Sequence, residues 1–292
     1  MKFLVVLSLF LISQDGKAFE TLNYDCAHRE LPDITSALNA ETNRRIQKVI
    51  SATPNCEIKQ LLNALRAEIA DPWLDNLETW VDRSPLVKCT VPASHSVYQD
   101  FTVLDSPIGL AAGLKGVVNI GGIYLGTDKL SHFMTEGYEY YIDARRGSNL
   151  NALLLRGLRE ENGIYGMQTT GIRSYADMSA NFRGFLFWRN LFEGADPHLK
   201  CVANQWQLQR EFDWREYVDS SFDESINCND YKTKAMQEKV DQRSTVLREQ
   251  VGASQLTCPY RIDECEKFAK NFSATELSFL VSKRCLNAAA KN

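Results

Sequence analysis

The sequence predicts an α+β fold, mostly α, with a short β-ribbon and disulfide-stapled extensions. Three observations predict it. Leucines recur at helical spacing over residues 150–158, glycines and threonines break that period over 163–171, and eight cysteines flank this central stretch.

The central stretch, residues 147–192, organises the rest. Leu150, Leu154 and Leu158 recur at i, i+4 and i+8, and Glu161 follows Leu158 by three residues. At about 100° per residue, Glu161 therefore falls on the leucine stripe, while Glu160 lies round toward the flank. A carboxyl on an apolar stripe tends to stay protonated, because desolvation disfavours its charged form. That is what a general acid working near neutral pH requires. Gly163, Gly166 and Gly171 then interrupt the pattern, and Met167, Gln168, Thr169 and Thr170 between them suit a short β-ribbon. Ser174 to Asp177 matches a capping box that starts a second helix. Met178, Phe182, Phe185, Leu186, Phe187, Trp188, Leu191 and Phe192 make that helix apolar nearly all round, as a core helix is.

Helix-end Glu, ribbon and core helix together resemble the lysozyme superfamily. Gly166-Met-Gln-Thr169-Thr-Gly171-Ile172 is similar to the G-x-x-T-x-G-I ribbon of phage-type lysozymes. The resemblance implies a lysozyme-like helical domain, with Glu161 as general acid and Thr169 placing the attacking water. It covers roughly a sixth of the chain. Phage-type enzymes carry an Asp between that Glu and Thr, whereas residues 162–168 contain no acid here. A Cys-rich exported chain of this size also resembles the deacetylated-peptidoglycan-specific lysozymes of periplasmic predatory bacteria, which use two glutamates.

From the start of the chain, residues 1–18 read as a cleaved signal peptide. Lys2 supplies the positive region, Phe3–Ile12 the apolar region, and Gly16-Lys17-Ala18 the small-residue cleavage site. The expected location is periplasmic or secreted, with no membrane span. The formal net charge of −4 and the lack of a basic run argue against nucleic acid. An even cysteine count in an exported chain predicts up to four disulfides. Proximity suggests Cys26–Cys56 and Cys265–Cys285. No CxxC occurs and the four histidines are scattered, so a structural zinc site is not expected.

Residues 19–105 form a helical and extended N-terminal region, 106–199 the catalytic core and 200–292 a helical C-terminal extension. Helix is expected over 37–83, where Ile58, Leu61, Leu62, Leu65 and Ile69 make an amphipathic stripe stopped by Pro72. Trp73, Leu74, Leu77, Trp80 and Val81 add a second apolar face. Residues 86–105 alternate and suggest strand or extended chain. Residues 107–126 are long enough to span a membrane, but their six glycines, Pro107 and Lys115 argue for an apolar loop and hairpin beside the cleft. Residues 229–251 are polar and expected at the surface.

The helix over 127–145 places Leu130, Phe133, Met134, Tyr138 and Tyr141 on one face, and Asp128, His132, Glu136 and Glu139 on the other. The polar face is either a solvated stripe or a cleft wall with Glu136 opposite Glu161. In the second case Glu136 is the second carboxylate, and His132, Tyr165, Gln168 and Thr169 bind substrate. Asp177 reads as the acid of its capping box rather than as a catalytic group.

The lysozyme resemblance implies an exported glycoside hydrolase cleaving peptidoglycan glycan, with no cofactor, and Glu161 with Glu136 would supply its two carboxylates. Two alternatives stay open: a metal-dependent envelope hydrolase using Asp128, His132 and Glu136, and a non-catalytic envelope-binding protein.

Overall fold

The computed structural model describes residues 24, 26–71, 76–107 and 114–290. The segment expected to be a signal peptide, Pro72, Trp73, Leu74 and the apolar stretch 108–113 lie outside these residues. The chain is mostly helical, with short antiparallel strands and four disulfides.

The N-terminal helices are α1 (Thr35–Ala52), α2 (Ile58–Ile69) and α3 (Leu77–Arg83). On α2 the expected stripe buries Leu61, Leu62, Leu65 and Ile69, and Ile58 packs partly buried at its edge. Residues 86–105 differ from expectation. They form turns and a 3-10 turn at Ala93–His95, and meet the rest of the β-structure through one bridge, Cys89 to Val117. Local side-chain bonding wins over strand here: the Asp105 carboxylate accepts from the backbone and hydroxyl of Thr102 and closes a tight turn.

The hairpin foreseen in 107–126 is β1 (Val117–Ile120) and β2 (Ile123–Gly126), paired antiparallel. Gly121 and Gly122 both take positive φ, as a two-residue hairpin turn demands. Lys115, which argued against a membrane span, is paired with Glu78 at 2.9 Å and Asp82 at 2.6 Å. Chain direction then turns into α4 (Asp128–Ser131), a π-helical stretch at His132–Glu136, and α5 (Gly137–Arg145). Such π-turns insert an extra residue and occur frequently at functional sites.

Helix α6 (Leu150–Glu161) leads through turns to the two-residue strand β3 (Ile172–Arg173) and the long helix α7 (Tyr175–Asn190). As its composition demanded, α7 is buried along nearly its whole length, from Tyr175 to Trp188. It lies directly against the π-turn. A Cβ on Gly184 would meet the Phe133 carbonyl oxygen at 1.9 Å, and one on Gly137 would meet the Gly184 backbone at 2.5 Å. The two helices can approach this closely only because both contact positions are glycine. The Trp188 indole N–H seals the contact by donating to the Met134 carbonyl at 2.8 Å.

Hairpin β4–β5 (Leu199–Val202, Gln205–Leu208) follows, then β6 (Asp230–Tyr231) and the helices α8 (Lys234–Val251), α9 (Ile262–Ala269), α10 (Ala274–Leu280) and α11 (Lys283–Ala289). On α8 the buried positions are Met236, Val240 and Ser244, a narrow stripe on an otherwise surface helix. One hydrophobic cluster runs from Ile34 through Phe133, Phe187 and Trp214 to Cys285, so the N-terminal, central and C-terminal stretches share a core.

The disulfides are Cys26–Cys89, Cys56–Cys201, Cys228–Cys258 and Cys265–Cys285. The proximity expectation holds for Cys265–Cys285 and fails for Cys26–Cys56. Cys26 joins the turn that lies against β1, and Cys56 crosses a separation of 145 residues to β4. Four disulfides fit a periplasmic or extracellular protein. No helix among the described residues is long and apolar enough to cross a membrane.

Candidate active site

Glu161 closes α6 on the buried side, in line with Leu153, Leu154 and Gly157. It is only 2% exposed. Its Oε2 accepts the backbone N–H of Ser174 at 3.1 Å. Ser174 caps α7, and its hydroxyl accepts from the Asp177 N–H at 3.1 Å. Half of the expected capping box is therefore present. The other half is replaced, because Glu161 takes the N–H that Asp177 would have accepted.

Asp177, released from the cap, turns inward and is 2% exposed. Its Oδ2 lies 3.2 Å from His132 Nε2, and its Oδ1 lies 2.5 Å from the ammonium of Lys129. One donor atom each from His132, Glu161 and Asp177 come within 4.8 Å of one another. The other imidazole nitrogen of His132, Nδ1, donates to Asn181 Oδ1 at 3.0 Å. The His132 side chain is 21% exposed and forms the outer edge of this centre.

Lys129 is fully buried and neutralised by three acids. Besides Asp177 it meets Asp128 at 2.7 Å and Glu224 at 2.7 Å. Glu224 also accepts from the Ser174 hydroxyl at 2.9 Å and from Asn229 at 3.2 Å. The result is a buried ionic network in which each charge has a partner, as buried charge must.

Burial and this geometry set the protonation pattern. Desolvation pushes the Glu161 pKa well above the ordinary carboxylate range, the Asp177 charge adds to it, and His132 and the Ser174 N–H offset only part. Desolvation likewise raises Glu224, to about 7, against the pull of Lys129. Burial opposes charge on His132, but Asp177 and Glu161 override it and raise the imidazole to about 9. The three acids around Lys129 override burial in the same way and hold the ammonium charged.

Glu136 sits at the last position of the π-turn, one turn beyond His132. Its Oε2 is buried without a hydrogen-bond partner, with Arg156 3.8 Å away. Burial raises its pKa, and His132 lowers it in part. Arg156 also holds Glu160 at 2.8 Å and Asp143 at 2.7 Å. Tyr165 is 48% exposed, and burial together with Glu136 raises its phenol pKa. Glu136, Arg156, Glu160 and Tyr165 thus form a half-open rim beside the buried centre.

The ribbon is not formed. Residues 162–170 are consecutive turns, and β3 pairs with β6, far along the chain, instead of with its own neighbours. Short-range bonds explain this: Met167 N–H reaches back to the Glu161 carbonyl at 2.8 Å, and Thr170 N–H to that of Gly166 at 2.9 Å. The Thr169 hydroxyl is used in the same turn, donating to the Ile164 carbonyl at 2.9 Å. Gln168 is exposed. Gly166 lets this turn fold tightly onto the helix end, since a Cβ there would meet the Glu161 carbonyl oxygen at 2.2 Å.

Asp128, His132 and Glu136 are not gathered as a metal triad. Asp128 turns to Lys129, and the groups the structure does assemble are His132 with Glu161 and Asp177, and Asp128 with Asp177 and Glu224. The polar face of 127–145 is also not a solvated stripe at its start, because Asp128 is buried. Sequence reasoning missed Lys129 and Glu224. Lys129 had a readable signal, four residues before Phe133 and so on the apolar side of its helix. Glu224 lies in an irregular turn with no periodicity to read. No protein-family model, curated protein or solved structure matches this chain.

Proposed function

We propose that the protein is an exported glycoside hydrolase acting on the glycan strands of peptidoglycan. The observation that carries this reading is Glu161, a helix-end carboxyl kept protonated by burial beside Asp177. A proton held there is available to a departing glycosidic oxygen. Lys129 and His132 hold the Asp177 carboxylate in place, and its charge disfavours loss of the Glu161 proton. Glu136, with one oxygen free of hydrogen bonds at the rim, acts as the second carboxylate and takes the proton of the attacking water. Tyr165, exposed beside Glu136, contacts the sugar.

The test is digestion of native and deacetylated peptidoglycan by the mature protein, with products identified by mass spectrometry. Reducing-end muropeptides lost in Glu161→Gln support the reading. A folded wild-type protein that releases nothing from either substrate refutes it. Anhydro-sugar products would replace hydrolysis by transglycosylation, in which Glu161 acts without Glu136.

A further inference from the structure

We infer that His132, Glu161 and Asp177 form a binding site for one divalent transition-metal cation, with zinc-type chemistry. The inference goes beyond the hydrolase reading and does not depend on it. One donor atom from each side chain already lies within 4.8 Å of the other two. His132 Nε2 and Asp177 Oδ2 are 3.2 Å apart. Ligands bound at about 2.0–2.1 Å in a tetrahedron sit roughly 3.3 Å from one another, so this edge has the spacing of a coordination shell.

The far atom of each donor is tied down by a separate partner. Asn181 accepts from Nδ1 of His132, which turns Nε2 toward Asp177, where a cation displaces the Nε2 proton. Lys129 holds Oδ1 of Asp177, and the Ser174 N–H holds Oε2 of Glu161. Outer partners of this kind fix ligand orientation in metal centres. The remaining oxygen of Glu161, in a side chain 2% exposed, has no hydrogen-bond partner among the described residues.

Donor chemistry selects the cation. One imidazole and two carboxylates suit zinc, manganese, cobalt or iron(II), and the imidazole disfavours calcium and magnesium. Three protein ligands leave a fourth position open, and His132, the outermost of the three, marks the side from which a cation arrives. The neighbouring acidic group, Asp128 with Asp177 and Glu224, offers no second site, because the Lys129 ammonium occupies its centre.

A ligand proton and a cation cannot share Glu161, so the metal-free protein is the acid-competent form under the hydrolase reading. The binding test is kept separate from turnover for that reason. Untagged mature protein is stripped with chelator and titrated with zinc sulfate by calorimetry, and bound metal is counted by elemental analysis after dialysis. Cobalt(II) is added to a second sample to read its visible absorption. One zinc per chain is expected, with a low-symmetry cobalt spectrum. Glu161→Gln and His132→Gln, both near in shape to the originals, should each weaken zinc at least 10-fold while circular dichroism stays unchanged. Asp128→Asn should keep full stoichiometry. Less than a tenth of an equivalent of zinc in the wild type overturns the inference. So does undiminished binding in both folded glutamine variants. Activity that requires zinc would leave this site standing and refute the proton-donor role of Glu161.

Discussion

The backbone N–H that opens helix α7, that of Ser174, is bonded to Glu161 rather than to Asp177, the residue placed to cap it. This exchange couples the end of one helix to the start of the next. It anchors the Glu161 carboxyl, and it frees Asp177 to meet Lys129 and His132.

Replacing Glu161 by Gln tests the acid. The amide oxygen still accepts from Ser174, and a buried acid beside Asp177 is exchanged for a neutral group, so folding should be retained. Glycan cleavage should fall about 10²–10⁴-fold, the usual cost of losing a general acid. Turnover on peptidoglycan, measured beside the thermal midpoint, checks both statements. Wild-type turnover in a folded variant would exclude the assignment.

Lys129→Met should be among the most damaging single changes. It leaves Asp128, Asp177 and Glu224 facing one another without their shared cation. Breaking a buried pair in this way costs about 3–5 kcal/mol. Urea unfolding of the variant would show this as a lower midpoint or as failure to fold. A midpoint equal to wild type would mean that the network is not ionised as described.

The metal-free protein should lose stability as pH rises from about 4.5 to 9. A group whose folded pKa is raised stabilises the fold below its unfolded value, and this contribution disappears as pH passes the folded value. Glu224, raised to about 7, gives a loss between the ordinary Glu value and 7. Glu161 is raised too and acts in the same direction. His132, raised to about 9 by Asp177 and Glu161, and with Asp128 and Lys129 also acting on it, extends the loss between its ordinary value and 9. Asp105, lowered to about 2 by Lys239 and Thr102, acts oppositely and only in stronger acid. Thermal midpoints across this range should fall, and His132→Gln should flatten the upper part alone. A rising profile would contradict the described network.

Gly166→Ala should disturb the end of α6. Its Cβ would meet two backbone oxygens, of Glu161 at 2.2 Å and of Ile172 at 2.6 Å, and neither can move as a flexible side chain would. Overpacking of this kind costs about 1–3 kcal/mol. Because one of those oxygens belongs to Glu161, cleavage should fall with stability. Thermal melting and turnover on the same preparation test the coupling.

All eight cysteines should be oxidised in the mature protein. Non-reducing peptide mapping should return Cys26–Cys89, Cys56–Cys201, Cys228–Cys258 and Cys265–Cys285. Changing Cys56 and Cys201 together to Ala should cost about 2–5 kcal/mol, since that bridge closes the longest loop. Free thiols in native protein would contradict the framework.

What the sequence determined by itself was local. Helical spacing placed Glu161 on the buried side of α6 and made α7 a core helix, because a 3.6-residue period depends only on neighbours along the chain. Cysteine count and composition pointed to an oxidising compartment without any contact being known. The ribbon over 166–172 failed because turn-forming hydrogen bonds over three to six residues competed with strand pairing, and residue type does not show which wins. Disulfide partners failed for Cys26 and Cys56 because loop closure costs rise only slowly with separation, so nearness in sequence is a weak guide. The site itself was decided by tertiary structure. Lys129 can be buried only because Asp177 and Glu224, the latter 95 residues away, arrive beside it. Charge compensation is a property of space rather than of sequence order, and it is what brings Asp177 and His132 against Glu161.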